Sequence, residues 1–410
     1  MNCGDGSGKN RPKRGIGEII VSNNSGTVPD NGAPNSVAGS NSGGESDVAP
    51  LGIGYEIEGA AALVTLDRPE ALNAINDAMR AEFPSYLKSW AVDPEIYAMI
   101  IRSGNDRAFS VGGDVRELYA QGKAGTALLS LANEYKLIWL LDRFTKPTIS
   151  LIDGMVMGSG VGISQFGTHR VAGENYSFAM PEVSIGFFPD VGASWFLGRL
   201  KDWVGIYLGL TGARIGRADA LAFGLVSHTI NAGRFGEITD LVVDADPIDP
   251  VLDAMHEDPG EGELVHRLDI IRHCFSASRV EEIVSRLEGL DVGGADGDWR
   301  DETLKLMGRA SPISLKVTLQ QLRGGGGLDL RRVLQLEYHL SGQFMKGSDF
   351  FEGVRANLID KDFKPDWQCN ALSDVSDDLV ESYFESGPGS DQQDNELELS
   401  APSDADVSNG

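Results

Sequence analysis

The chain is poor in cysteine. Its 410 residues contain three, Cys3, Cys274 and Cys369, far apart and odd in number, which fits neither a disulfide framework nor a zinc knuckle. That scarcity points to a reducing compartment: the cytoplasm of a bacterium, or the mitochondrial matrix of a eukaryote. Positive charge is scarce as well, with 35 Lys and Arg against 61 Asp and Glu and a net charge of −26. A duplex nucleic-acid binder needs a basic footprint to displace counterions from phosphates. The one dense basic cluster is Lys9, Arg11, Lys13 and Arg14, so no nucleic-acid partner is expected. Long apolar runs are missing too: Leu137–Leu141 and Thr148–Ile152 are broken by Asp142, Arg143 and Lys146. No stretch reaches the roughly 20 residues that a membrane-spanning helix needs, and no membrane partner is expected. The first twenty residues have no continuous apolar core, so neither a secretory signal nor a transit peptide is expected. The six histidines show no metal-ligand spacing, and no metal is expected.

Aromatic residues are absent from residues 1–50 and from Glu385 onward, which bounds the folded part. Residues 1–50 hold ten glycines, many Ser, Asn and Pro, and no Phe, Trp or Tyr. Such a segment buries too little apolar surface to offset the entropy of ordering, so it is expected to be a disordered arm. Residues 371–410 carry eleven acidic residues and no Lys or Arg, and are expected to be a disordered acidic tail. Residues 51–370 hold all six tryptophans.

Within that span short apolar runs alternate with helix-period segments, the pattern of βα or ββα units. Ala61–Leu66, Tyr97–Arg102 and Pro147–Ile152 read as strands. Asn76–Trp90 reads as a helix, with Met79, Phe83, Leu87 and Trp90 at helical spacing and Pro84 as a kink or break, and Leu128–Leu141 reads as another. Past about Pro247 the strands stop, and Ser311–Leu322 and the Leu330, Val333, Leu336, Leu340, Phe344 face are helical. The expectation is an α/β core over 51–245 and a helical region over 246–370 belonging to the same catalytic unit. The glycine run Gly324–Gly327 reads as a flexible connection between helices.

Two glycine-rich turns follow strands: AFSVGGDV, Ala108–Val115, and DGMVMGSGVG, Asp153–Gly162. Each places backbone N–H groups near a helix start, where they can meet an anion or a developing oxyanion. Glycines at 158, 160 and 162 lack the spacing of a dinucleotide-binding turn. A third segment, FAMPEVSIGFFPDVGAS from Phe178 to Ser194, sets Glu182 and Asp190 among apolar residues, each directly after a proline. Carboxylates in such surroundings are costly to bury unless paired, hydrogen-bonded or used; the alternative is a solvent-facing loop.

Together with LDRPEALNAI, Leu66–Ile75, and the C-terminal strings SPISLKVTLQQL, LEYHL and DFFEGVRANLIDKDFKPDW, these segments resemble the enoyl-CoA hydratase/isomerase, or crotonase, superfamily. Within it they are most similar to the 3-hydroxyisobutyryl-CoA hydrolases, in order over about residues 51–368. The resemblance implies a spiral of repeated ββα units with trailing helices, and a site that grips an acyl-CoA by its thioester carbonyl. Two backbone N–H groups would form the oxyanion hole: those of Gly113 and of Ser159, the latter standing where the family commonly has glycine. A hydratase would need glutamates at 162 and 182; this chain has Gly162 and Glu182. Asp190 stands where hydratases have a small residue and the hydrolases an aspartate.

The implied activity is thioester hydrolysis of 3-hydroxyisobutyryl-CoA or a related 3-hydroxyacyl-CoA, a step of valine breakdown. Glu182 would attack the carbonyl or activate water, and Asp190 would position the substrate hydroxyl or assist water. Glu134 would contact substrate, or simply sit at the edge of a buried helix face, and Arg68 would lie near the CoA nucleotide or be a solvated turn residue. No cofactor is expected, because CoA is part of the substrate, and homo-oligomers are an expectation from the resemblance alone. Two alternatives stay open: an enoyl-CoA hydratase or isomerase, and an inactive acyl-CoA-binding protein of the same fold.

Overall fold

A computed structural model of the chain describes residues 52–385 and 397–399. The expected N-terminal arm, and the expected tail other than residues 371–385 and 397–399, lie outside the described residues.

The first half of the fold is laid down by two sheets. β1 (Ile53–Glu58) and β2 (Ala61–Leu66) form a hairpin, followed by α1 (Asp77–Val92), β3 (Ala98–Ser103) and β4 (Ala108–Ser110). Then come α2 (Val115–Ala124), α3 (Ala127–Asp142), β5 (Thr148–Ile152), β6 (Met155–Met157), α4 (Ser159–Gln165), β7 (His169–Ala172) and β8 (Ser177–Ala179). After α5 (Ala193–Phe196), α6 (Val204–Thr211), β9 (Ile215–Gly216), α7 (Arg217–Ala222) and β10 (His228–Thr229), the described chain is helical. The six-stranded sheet runs β1-β2-β3-β5-β7-β10 and the four-stranded sheet β4-β6-β8-β9, both parallel except at one edge. This is the α/β, ββα-repeat architecture expected, and the sequence reading missed only β1 among the long strands.

Strand alternation explains why the larger sheet is buried on both faces. Ala62, Val64, Leu66, Met99 and Ile101 enter the main core with α1 and α3, whereas Ala61, Leu63, Ala98 and Ile100 meet Ile238, Val242 and Leu252 on α8 (Phe235–Val243) and α9 (Ile248–Met255). A parallel sheet needs cover on both sides, and these helices supply it. α1 begins where Asn76 accepts a hydrogen bond from the Met79 N–H (2.9 Å) and continues unbroken through Pro84.

The C-terminal helices are α10 (Leu268–Phe275), α11 (Val280–Glu288), α12 (Gly294–Arg309), α13 (Pro312–Gly325), α14 (Leu330–Lys346), α15 (Asp349–Val354) and α16 (Asp377–Ser382). Two expectations are corrected here. Gly324 and Gly325 close α13 rather than loosening it: a methyl group on Gly325 would lie 2.4 Å from the Ser194 Cβ, and one on Gly326 2.4 Å from the Gly198 carbonyl oxygen, so these glycines permit close approach of two chain segments. Nor does order stop at residue 370. Ser376 caps α16, and Val375, Val380 and Tyr383 are buried against Phe344 and Phe350, an apolar spacing the acidic composition had masked. Among the described residues no helix is long and apolar enough to cross a membrane.

Candidate active site

Three parallel strands of the smaller sheet, β4, β6 and β8, end side by side, with Met155 opposite both Ala108 and Ser177. Their carboxyl ends release the segments that mattered in the sequence: Gly112–Gly113, Gly158–Ser159 and Pro181–Glu182. All of these residues line one cleft of about 110 Å³, together with Arg80, Glu134 and Asp190. A crevice beyond the carboxyl ends of parallel strands is where α/β folds bind ligands. Its apolar wall includes Val111, Leu118, Leu131, Met157, Phe187 and Phe350.

The two glycine turns lie against each other. Gly112 adopts φ +108° and Gly158 φ +44°, conformations that only glycine takes easily, and a methyl on Gly158 would come within 3.5 Å of the Gly112 Cα. The first turn is fixed by a two-bond bridge, the Ile75 N–H donating to the Gly112 carbonyl (2.8 Å) and the Asp114 N–H to the Ile75 carbonyl (2.8 Å). In a parallel bridge of this kind the Gly113 N–H faces away from Ile75. Ser159 opens α4, and the first-turn N–H groups of a helix have no intrahelical acceptor. Among the described residues neither the Gly113 nor the Ser159 N–H has a hydrogen-bond partner.

Glu182 and Asp190 are 8% and 7% exposed, so they are not carboxylates on a solvated loop. Burial pushes the Glu182 carboxyl up to about 8, with the Glu134 charge adding to the effect. One Glu182 oxygen, Oε2, is buried without a hydrogen-bond partner, and the other faces Gly158, where a methyl would lie 3.0 Å away. Asp190 is raised well above the usual carboxylate range by burial first, then by the charges of Glu134, Glu182 and Glu337. Against that, the Tyr135 hydroxyl donates to Asp190 Oδ2 (2.8 Å) and lies 2.8 Å from the Ser341 Oγ, which in turn donates to the Glu337 carbonyl (2.8 Å).

The turn that carries Asp190 is held from the C-terminal helices. Gly192 and Ser194 donate backbone N–H bonds to the Glu337 carboxylate (2.7 and 2.9 Å), and the Gln321 side-chain amide donates to the Pro189 carbonyl (2.7 Å). These bonds hold Val191 at φ +56°, an uncommon conformation for a β-branched residue. Val191 packs over Gly162: a methyl there would lie 2.9 Å from the Val191 Cβ and 3.1 Å from the Ile138 Cδ1. Position 162 therefore lacks a carboxylate and has no room for one, and it does not line the cleft.

Glu134 is buried in the cleft and paired with Arg80 (Nη2 to Oε2, 3.2 Å), whose other Nη lies 3.2 Å from Asp77. Arg80 is the single cation among the cleft residues, set against Asp114, Glu134, Glu182 and Asp190. Arg68 is placed differently from the others. It does not line the cleft; its guanidinium donates to the Ala74 carbonyl (2.6 Å) and the Asp114 carboxylate (3.1 Å), bracing the loop that carries the first turn.

The sequence reading missed Arg80, Tyr135, Gln321, Glu337 and Ser341. Tyr135 adjoins Glu134, and Gln321 and Glu337 fall inside the strings SPISLKVTLQQL and LEYHL, which are weak signals; Arg80 and Ser341 leave none, because they reach the site from helices distant in sequence from the segments they meet. Among the described residues no group of His, Cys, Asp and Glu is arranged to hold a metal ion.

Fold and cleft together define an α/β enzyme-like site in which paired N–H donors face buried carboxylates, and the chain belongs to the enoyl-CoA hydratase/isomerase family, whose model matches residues 61–384. It is 41% identical over 346 residues to the mitochondrial 3-hydroxyisobutyryl-CoA hydrolase of Xenopus tropicalis, covering 81% of this chain and 88% of that one. A probable 3-hydroxyisobutyryl-CoA hydrolase of Arabidopsis thaliana is 39% identical, with 79% and 88% covered. Among solved structures, a carnitinyl-CoA dehydratase from Mycobacterium thermoresistibile superposes with a TM-score of 0.78 at 33% identity, covering 85% of this chain and 98% of that one. An enoyl-CoA hydratase from Rhodobacter sphaeroides gives 0.75 at 33% identity, covering 82% and 97%.

Proposed function

We propose that the chain hydrolyses the thioester of a 3-hydroxyacyl-CoA, foremost 3-hydroxyisobutyryl-CoA, to CoA and the free hydroxy acid. The names of the hydrolase relatives support this reading. The observation that carries it is the distribution of carboxyl groups: Glu182 and Asp190 lie buried in the cleft, while position 162 is a glycine roofed by Val191 and Ile138. Addition of water across a double bond needs a second proton-transferring group, and the place the family uses for it is closed.

Glu182 as the carboxylate attacks the carbonyl carbon, or takes a proton from a water that does so. Electrons move onto the carbonyl oxygen, which the Gly113 and Ser159 N–H groups stabilise. Collapse expels the CoA thiolate. If Glu182 attacked directly, a second step adds water to the mixed anhydride, and Asp190, held by Tyr135, assists that water or holds the substrate hydroxyl. Either route consumes one water and releases one acid and one thiol. No cofactor is required, CoA being part of the substrate. A single turnover in ¹⁸O water tests the direct attack: label in the Glu182 carboxyl marks a mixed anhydride opened by water at the glutamyl carbon.

Glu134 is proposed to contact the acyl portion from its paired position beside the first turn. The proposal for Arg68 is indirect, through the loop it braces. Homo-oligomer formation is carried over from the resemblance, and operation in a reducing compartment from the scarcity of cysteine; sedimentation tests the former. A thiol-release assay over a panel of acyl-CoA esters tests the function: release from 3-hydroxyisobutyryl-CoA is expected, and loss of a 2-enoyl-CoA chromophore without thiol release points to hydration.

A further inference from the structure

Ser159 contributes more than a backbone N–H to the cleft. It is 6% exposed, yet its hydroxyl has no hydrogen-bond partner among the described residues. Other buried serines nearby are all engaged: Ser110 donates to the Asn73 carbonyl (2.7 Å), Ser164 to the Gly160 carbonyl (2.9 Å), and Ser194 to the Glu337 carboxylate (2.7 Å). A hydroxyl that lines a cleft without a partner in the protein is free to bond a ligand oxygen there. Its position shows which oxygen. A methyl on Gly113 would lie 2.9 Å from the Ser159 Oγ, so the hydroxyl stands over the glycine whose unpaired N–H faces the same cleft. Glycine at 159 would leave that space empty.

We propose that the Ser159 hydroxyl is a third donor to the carbonyl oxygen of the bound thioester, beside the N–H groups of Gly113 and of Ser159 itself. This rests on the acyl-CoA reading of the cleft. The hydroxyl has one proton to give and no acceptor in the protein competing for it. It strengthens as a donor while charge builds on the carbonyl oxygen, so its contribution falls mainly on kcat rather than on KM.

Ser159→Ala and Ser159→Gly, each checked for an unchanged melting temperature, are compared with the unsubstituted chain on 3-hydroxyisobutyryl-CoA and on isobutyryl-CoA. The expected result is a fall in kcat of about tenfold or more on both esters, below the roughly 10²–10³ measured for a principal side-chain donor, with KM little changed. A loss confined to the hydroxylated ester would assign the hydroxyl to the substrate's 3-OH and overturn the proposal; unchanged or increased kcat would overturn it too. A second arm needs no turnover. Isobutyryl-CoA labelled with ¹³C at the carbonyl is bound to the Glu182→Gln protein, with and without Ser159→Ala, and its carbonyl stretch is read by isotope-edited infrared spectroscopy. The stretch is expected at lower frequency when Ser159 is present; equal frequencies contradict the proposal. If the unsubstituted chain releases no thiol, the hydrolase reading fails while this arm still decides the role of Ser159.

Discussion

Replacing Arg80 with methionine removes the cation from the cleft while keeping much of its apolar stem. Arg80 is 4% exposed and joins Glu134, whose side chain is 7% exposed, at 3.2 Å. Its second partner, Asp77, has a side chain 38% exposed and stays hydrated without it. The penalty therefore falls on Glu134, left buried and unpaired. Removing one member of a buried ion pair costs about 3–5 kcal/mol, and that is the loss of unfolding free energy expected for Arg80→Met. Urea denaturation at neutral pH measures it by linear extrapolation. The cost belongs to the stranded charge, so adding Glu134→Gln is expected to restore much of the stability. The uncompensated Glu134 charge also presses on Glu182, so the pH at which the single variant becomes active should move upward. A loss below about 1 kcal/mol, or a double variant no more stable than the single, would refute this account of the pair.

Three further outcomes concern Glu182 and Gly162. Glu182 must be ionised to attack or to accept a proton, so kcat/KM, which reports the free enzyme, is expected to rise with pH through a limb near 8; a limb at the ordinary carboxylate position near 4.5 would contradict its burial. Between those two values the folded state holds the extra proton, so stability is expected to fall as pH climbs through the window. Burial raises Asp190 and Glu337 in the same direction, and Glu182→Gln should flatten part of the slope seen by urea denaturation at pH 5.5 and 8.5. Gly162→Glu is expected to destabilise the chain by about 1–3 kcal/mol through overpacking against Val191 and Ile138, and to gain no enoyl-CoA hydration in a chromophore assay.

Much of this site was legible before any coordinates. Gly113, Ser159, Glu134, Glu182 and Asp190 all line one cleft; the two glycine turns were legible because strand-glycine-helix junctions are local patterns, and the carboxylates because they stand among apolar residues. Arg80 was not legible: a helical arginine three residues after Asp77 reads as a surface pair, and its burial depends on α3 packing over α1. Glu337, Ser341 and Gln321 act across more than 120 residues of sequence, a distance at which no spacing rule operates. β1 was overlooked because its Gly54, Glu56 and Glu58 hide an edge-strand alternation beside a glycine-rich arm. Composition misled again at the other end, where acidic residues concealed the apolar positions that seat α16.

The central claim is that Glu182 drives thioester cleavage, and thiol release from 3-hydroxyisobutyryl-CoA by the unsubstituted chain and by Glu182→Gln tests it most directly. The prediction is turnover by the former and a fall of at least about 10²-fold in kcat in the latter, with the ester still bound, since loss of one oxyanion donor alone costs about that much. Undiminished release by Glu182→Gln, or hydration of an enoyl-CoA in place of thiol release, would contradict it.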